Sequence, residues 1–336
     1  MPPYKDMNRY IAIHVLLRFL GMVAMPHLVK AQAQEGWDEE SFQPNAIRTI
    51  PPSIDGFTAM VYKQAGTVAC PLHAIWPEDH RPGDRRSAAV FFFGGGWKGG
   101  SPTQFEQQCR YLASRGMVAI TVEYRVASRH GVKAVDCVRD AKSALRWVRS
   151  HAQPLGIDPE RILAGGGSAG GHLAASLGTL RGLDESNEHS GVSSNPNALA
   201  LFNPALVLAP VKGQPSVSEE KQKSLADRMG VPLETLSPYH HLKADLPPCI
   251  IFHGKADTTV PFRTAALFQS KASALGATCR LVGYEGQAHG FFNYGRQGNR
   301  MFLETVRELD LFLQSLGYIE GKDTVEAFLA AANPSR

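Results

Sequence analysis

The sequence predicts an α/β fold, a mostly parallel central sheet of about eight strands with helices on both faces, and three observations carry that expectation. Strand-length apolar runs alternate with helical stretches through most of the chain, the order of a parallel sheet rather than of a sandwich or bundle. The runs are continuously apolar, as strands buried on both faces are. The 336 residues are 43% hydrophobic, with 32 Gly and 22 Pro in no three-residue period, which excludes collagen-like and disordered classes.

The elements follow in chain order. Residues 1–33 carry Lys5 and Arg9, an apolar stretch from Ile11 to Met25, then Pro26 and Ala31-Gln32-Ala33. That order matches a signal peptide cleaved near Ala33 and implies a secreted or periplasmic protein. The stretch is shorter than the about 20 residues of a spanning helix and has Arg18 in its middle, so no integral membrane span is expected. Residues 34–56 read as a polar lead-in, 57–318 as the folded catalytic domain and 319–336 as a short tail.

Within the domain, 57–64 and 67–76 read as a strand pair able to run antiparallel. Buried strands are expected at 88–93, 117–122, 161–164, 198–202, 248–252 and 278–283. The helix at 136–151 places Val138, Ala141, Leu145 and Val148 on one stripe, so Arg139, Lys142, Arg146 and Arg149 opposite are expected to form a solvated face. Helices are also expected at 172–180 and 299–316. The polar segments 181–197 and 211–239 interrupt the alternation and read as insertions near the mouth of a site, the second with a short helix.

Residues 1–33 hold four cations against one acid, and so three of the net +4 charges. The remainder gives no electrostatic case for nucleic acid or an anionic membrane surface as partner. The five cysteines have no C-x-x-C spacing, which disfavours zinc and thioredoxin-type chemistry. In an oxidising compartment Cys109 and Cys137, on helices flanking one strand, are the candidate disulfide; five buried free thiols are the alternative.

Gly166-Gly167-Ser168-Ala169-Gly170 lies between an expected strand and helix, the setting a G-x-S-x-G nucleophile requires. A serine in so tight a turn needs neighbours without side chains, and the helix N-terminus adds positive potential where an oxyanion develops. Gly165, Gly167 and Gly170 also fit G-x-G-x-x-G, but polar loop stands where a dinucleotide site needs an acid-ended strand about 20 residues on. A phosphate loop at 94–101 fails because no Lys precedes Ser101.

Asp257 and His289 each follow a later strand, so Ser168, Asp257 and His289 come in the order nucleophile, orienting acid, general base. Three glycines after Phe93 let backbone N–H groups turn toward a substrate oxygen, and Gly95, Gly96 and Ala169 are the expected oxyanion donors. Trp97 and Phe291 are candidate substrate-binding aromatics, with core packing the alternative for the phenylalanine. His253 is expected to pack at its strand end and His172 in its helix; His240 and His241 read as ordinary loop packing, with a place near the pocket the alternative. No H-x-x-x-H or H-E-x-x-H spacing supports a metal, and no cofactor is called for.

Together these segments resemble the α/β-hydrolase superfamily, and within it the esterases related to hormone-sensitive lipase and to bacterial feruloyl and acetylxylan esterases. The resemblance covers about 57–316 and rests on the 94–97 loop, Glu123-Tyr124-Arg125, the Ser168 turn and the Asp257 and His289 segments. It implies an α/β-hydrolase fold and a secreted serine esterase that removes acetyl or aromatic acyl groups from a polysaccharide-derived ester. Phe93 and Gly167 depart from the lipase-type pattern, which has His and an acid there, so the oxyanion loop is expected to lack its usual polar anchor. The Asp257 and His289 segments are also similar to those of arylformamidases and prolyl-oligopeptidase relatives, though the lead-in is too short for a propeller. A catalytically silent binding protein is the reading from another class, against which the intact Ser168, Asp257 and His289 stand.

Overall fold

In an open parallel sheet the carboxyl ends of the strands face the chemistry, so strand order decides which loops meet there. The computed structural model describes residues 53–332 apart from 82, 186–187, 189–190 and 215–217. All of them fall in one compact unit, Ile47–Arg336. The expected signal peptide, its cleavage site and residues 34–52 of the lead-in lie outside the described residues.

Eight strands form one sheet: β1 (Thr58–Ala65), β2 (Val68–Ile75), β3 (Arg86–Phe92), β4 (Val118–Val122), β5 (Ile157–Gly167), β6 (Ala198–Phe202), β7 (Cys249–Gly254) and β8 (Cys279–Tyr284). Their order is β1-β2-β4-β3-β5-β6-β7-β8. The β1–β2 and β2–β4 pairs are antiparallel and the rest parallel. β5 runs beyond the expected 161–164 because its glycines still pair with both neighbours, Gly166 with Phe92 of β3 and Leu201 of β6. That extension carries the strand straight into the Ser168 turn.

The principal helices are α1 (Glu106–Ser114), α2 (Ala134–Ser150), α3 (Ala169–Thr179), α4 (Glu219–Met229), α5 (Phe262–Ala274), α6 (Arg300–Ser315) and α7 (Val325–Ala332). Alternate residues of the strands point to opposite faces. Val90 and Phe92 join a core with Val138 and Leu145 of α2, Leu173 and Leu177 of α3 and Phe268 of α5. Ala89 and Phe91 join a second core with Leu112 of α1 and Phe302, Val306 and Leu309 of α6. Among the described residues no helix is long and apolar enough to cross a membrane.

Three expectations are corrected. Cys109 and Cys137 lie in the cores on opposite faces of the sheet, so they form no disulfide, and all five thiols are free and buried. The basic stripe of α2 is not a solvated face: Lys142 and Arg146 are buried beneath the first insertion. Arg146 pairs with Asp184 at 2.6 Å and Glu188 at 2.5 Å, and Arg149 donates to the Ser193 carbonyl and Asn197. Finally, the stretch after α6 is more than a tail. It folds back as α7, where Val325 is buried and Phe328 meets Tyr111 edge-on at 5.5 Å.

Candidate active site

A single residue, Ser168, separates β5 from α3, at φ 53° and ψ −114°. A side chain held at such angles costs about 1–3 kcal/mol and persists only where its surroundings fix it. Here they do: Ser168 N–H donates to the Phe202 carbonyl at 2.8 Å, and its own carbonyl accepts from His172 and Ala205. Gly170 allows the close approach behind the turn, since a Cβ there would stand 2.0 Å from the Phe92 carbonyl oxygen. The result presents the half-buried serine at the N-terminus of α3 and at the carboxyl edge of the sheet.

Asp257 and His289 are brought together after β7 and β8. His289 Nδ1 lies 2.7 Å from Asp257 Oδ2. A proton on Nδ1 makes that bond and leaves Nε2 free as an acceptor. The other carboxylate oxygen accepts the amides of Thr259 at 2.8 Å and Val260 at 2.9 Å. His253, buried at its strand end, places Nε2 2.8 Å from the Val260 carbonyl and 3.4 Å from Asp257 Oδ2. Burial pushes the Asp257 pKa up, but the hydrogen bonds from His253, His289 and Val260 outweigh it and hold the carboxyl well below the usual range.

Asn203 connects these loops to the elbow. It is fully buried at φ 42°, in the left-handed region that Asn tolerates better than most residues. Its Oδ1 accepts the Gly254 amide at 3.0 Å, its Nδ2 faces the Ala288 carbonyl at 3.4 Å, and its backbone N–H donates to Phe252. The strand pairing Ser168, the strand before Asp257 and the residue before His289 thus share one amide.

The oxyanion loop is built differently. Gly95, Gly96 and Trp97 take φ of 127°, 62° and 60°, and among the described residues the Gly95 and Gly96 amides donate to no protein acceptor. A Cβ at Gly94 would stand 3.4 Å from Ser168 Cβ, which puts the loop against the serine. The polar anchor expected to be missing at Phe93 is supplied elsewhere: Gln104 Oε1 accepts the Gly94 amide at 2.6 Å while Nε2 donates to Asn293 at 3.0 Å. Gln104 therefore ties the oxyanion loop to the segment after His289. Phe93 stacks on Tyr124 at 4.2 Å, and the Tyr124 hydroxyl donates to the Phe93 carbonyl at 2.7 Å. Arg129 donates to the Gly100 carbonyl, and nearby Glu123 is pushed up to about 7 by burial, partly offset by Arg129.

The two candidate aromatics part company. Trp97, 5% exposed and packed in the core, reaches the edge of a recess beside the loop and donates through Nε1 to His172 Nδ1 at 3.2 Å. The other nitrogen of His172 then carries the proton toward the Leu236 carbonyl at 2.7 Å, and burial lowers this histidine to about 4, so it stays neutral. Phe291 is 2% exposed and packs on Tyr284 and Phe292, so it belongs to the core behind the base loop and not to a substrate wall. His240 and His241 are loop packing, bound to Ser237 and to the Glu234 carbonyl.

A serine on a strained strand-to-helix elbow, an acid and base after the last two strands and a glycine loop facing the serine define an α/β-hydrolase of the esterase class. The BD-FAE family model matches residues 79–272, and the chain belongs to that family. A Thermogutta terrifontis esterase solved with propionate bound is 50% identical, covers 81% of this chain and 98% of its own, and superposes with a TM-score of 0.77. The same enzyme phosphonylated by sarin superposes at 0.79 with 49% identity, covering 82% of this chain and all (100%) of its own. Carboxylesterase NlhH of Mycobacterium tuberculosis is 27% identical over 249 residues, 68% of this chain and 73% of its own. A probable isoprenylcysteine alpha-carbonyl methylesterase of Arabidopsis thaliana is 27% identical over 225 residues, 61% of this chain; the match spans only 45% of the plant protein.

Proposed function

We propose that this protein is a secreted or periplasmic serine carboxylesterase that cleaves short-chain acyl esters of carbohydrate-derived alcohols through an acyl-enzyme on Ser168. The observations that support the reading are the elbow, which holds Ser168 at φ 53° at the N-terminus of α3, and the His289–Asp257 bond of 2.7 Å after the last two strands. His289 Nε2 takes the serine proton as Oγ attacks the ester carbonyl, and Asp257 stabilises the imidazolium. The amides of Gly95, Gly96 and Ala169 receive the oxyanion, a donor of this kind lowering the barrier by about 3 kcal/mol. Collapse of the tetrahedral intermediate breaks the C–O bond, and the departing alcohol takes the proton from His289. Water then attacks the acyl-serine with His289 again as base, releasing the acid and restoring the serine.

The propionate complex of the Thermogutta enzyme supports a short acyl group. The resemblance to feruloyl and acetylxylan esterases supports a carbohydrate-derived alcohol; Trp97, 5% exposed, offers little ring face of its own. A fluorophosphonate probe tests the chemistry: it should label the wild type and fail on Ser168→Ala, and equal labelling of both would refute the assignment. Acetylated xylan, methyl ferulate and 4-nitrophenyl esters of rising chain length test the substrate, and a preference for long acyl chains would exclude the carbohydrate reading. For export, mass spectrometry of protein from its native compartment should find an N-terminus at or near Gln34; intact Met1 would refute cleavage.

A further inference from the structure

Against the oxyanion loop lies a recess of about 290 Å³ whose lining includes Trp97, Lys98, Lys133, Asp227 and Arg228. α4, from the second insertion, forms one side and is pinned by Met229, which is fully buried. Three cations face one acid there, and among the described residues none of the three forms an ion pair. Arg228 is the telling case. Its Nε is buried without a partner, and its Nη1 lies 3.7 Å from where a Cβ of Gly96 would be.

Among the described residues half-buried Arg228 has no carboxylate, a trait it shares with Arg129, whose Nε and Nη2 are also buried without a partner and whose Nη1 donates to the Gly100 carbonyl, whereas three other arginines have acids. Arg125 reaches Asp140 at 2.7 Å, Arg115 reaches Asp310 at 2.8 Å, and Arg146 has Asp184 and Glu188. A buried N–H left unpaired costs about 1–3 kcal/mol, and more on a charged group. Gly96 is two residues from Gly94, a span of at most roughly 7 Å, so the guanidinium lies within about 12 Å of the glycine that packs against Ser168.

We propose that this recess receives a carboxylate carried by the substrate, so that the enzyme selects anion-bearing esters, acylated uronates or half-esters of dicarboxylic acids, over neutral ones of the same shape. The inference rests on the esterase reading above and adds the substrate's charge to it. Arg228 offers a planar fork of donors matched to a carboxylate, while Lys98 and Lys133 act as point charges at the rim and draw the anion in. The positive charge is local: the chain outside residues 1–33 is nearly neutral, so the recess and not the whole surface would select the substrate.

Two substrate pairs test it. In 4-acetoxybenzoate and its methyl ester the charge sits on the alcohol part; in mono-4-nitrophenyl glutarate and 4-nitrophenyl valerate it sits on the acyl part. At low ionic strength the charged member of one pair should be favoured about tenfold or more in kcat/KM, and added salt should erode that preference. The favoured pair tells which part of the ester enters the recess. Arg228→Gln should bring the charged-to-neutral ratio close to one, Arg228→Lys should retain part of it, and Lys98→Gln with Lys133→Gln should flatten its salt dependence. Independently of any variant, benzoate should inhibit the wild type more strongly than benzamide. Ratios near one in both pairs, a ratio indifferent to Arg228→Gln, or equal inhibition by benzoate and benzamide would each overturn the proposal while leaving neutral-ester turnover and the esterase reading intact. Absence of turnover on all four esters would instead remove the esterase reading itself.

Discussion

The two sides of Ser168 are held by different physics. On the acid–base side, Asp257 accepts two backbone amides on one oxygen and faces two imidazoles with the other, so its position is specified by side-chain chemistry. On the oxyanion side the loop is specified by space: a Cβ at Gly95 would stand 2.2 Å from the Gly99 carbonyl oxygen, and one at Gly100 equally close to that of Gly94. The difference teaches where each side is fragile. The first should fail when a charge or proton is misplaced while the fold survives; the second should fail when an atom is added, and take local structure with it.

The sharpest way to break the acid–base side is Asp257→Asn, which keeps the shape but not the charge. By precedent from serine hydrolase triads it should lower kcat about 10⁴-fold, with the melting temperature near wild type at neutral pH. A loss below tenfold would show that His289 does not depend on Asp257. Next, Gly95→Ala should cost about 10²- to 10³-fold in kcat, the effect of losing an oxyanion donor, and also lower the melting temperature. Activity lost with unchanged stability would contradict a steric origin.

Gln104→Leu tests a link that joins the two sides, and should cost about tenfold in kcat/KM, mostly through kcat, because a loop displaced by a fraction of an ångström loses transition-state contacts first. The one effect that should leave catalysis near wild type and appear only in stability concerns Glu123, whose carboxyl has an ordinary pKa of 4.5 and about 7 when folded. Because the folded value is raised, the stabilisation is complete below pH 4.5 and is lost as pH rises through about 7. Glu123→Gln should therefore match wild type in stability near pH 4 and exceed it by about 3 kcal/mol at pH 8. Denaturant titrations at the two pH values check the sign.

The strands and the order of Ser168, Asp257 and His289 were legible because burial on both faces writes itself as unbroken apolar runs and the elbow demands small residues at fixed spacing. Contacts between distant segments were not. Gln104 reaches Asn293 across 189 positions and Asn203 reaches Gly254 across 51, with no local pattern to announce either. Asn203 left one signal, an Asn directly after an apolar strand, where a left-handed turn favours it. His253 shows in the sequence only as a residue at a strand end, although its spacing of four from Asp257 lets it face the acid as well. For Lys142 and Arg146, helical periodicity separates the polar side from the core but cannot tell water from the acids of a covering segment, here Asp184 and Glu188. Cys109 and Cys137 flank one strand in sequence yet sit on opposite faces of the sheet.

Those thiols have a practical side. All five are buried away from reagents, and burial pushes Cys70 up to about 12 and Cys109, Cys137 and Cys249 upward as well, so at these four thiolate, the species that reacts with maleimides and alkyl halides, is scarce at neutral pH. The natural chain is in effect blank to such reagents. A cysteine introduced at Val61, 54% exposed on the outer strand β1 and far along the sheet from β5, would be a single chemical address. The folded enzyme could be dyed, tethered or immobilised through that one position without first stripping out its own sulfur.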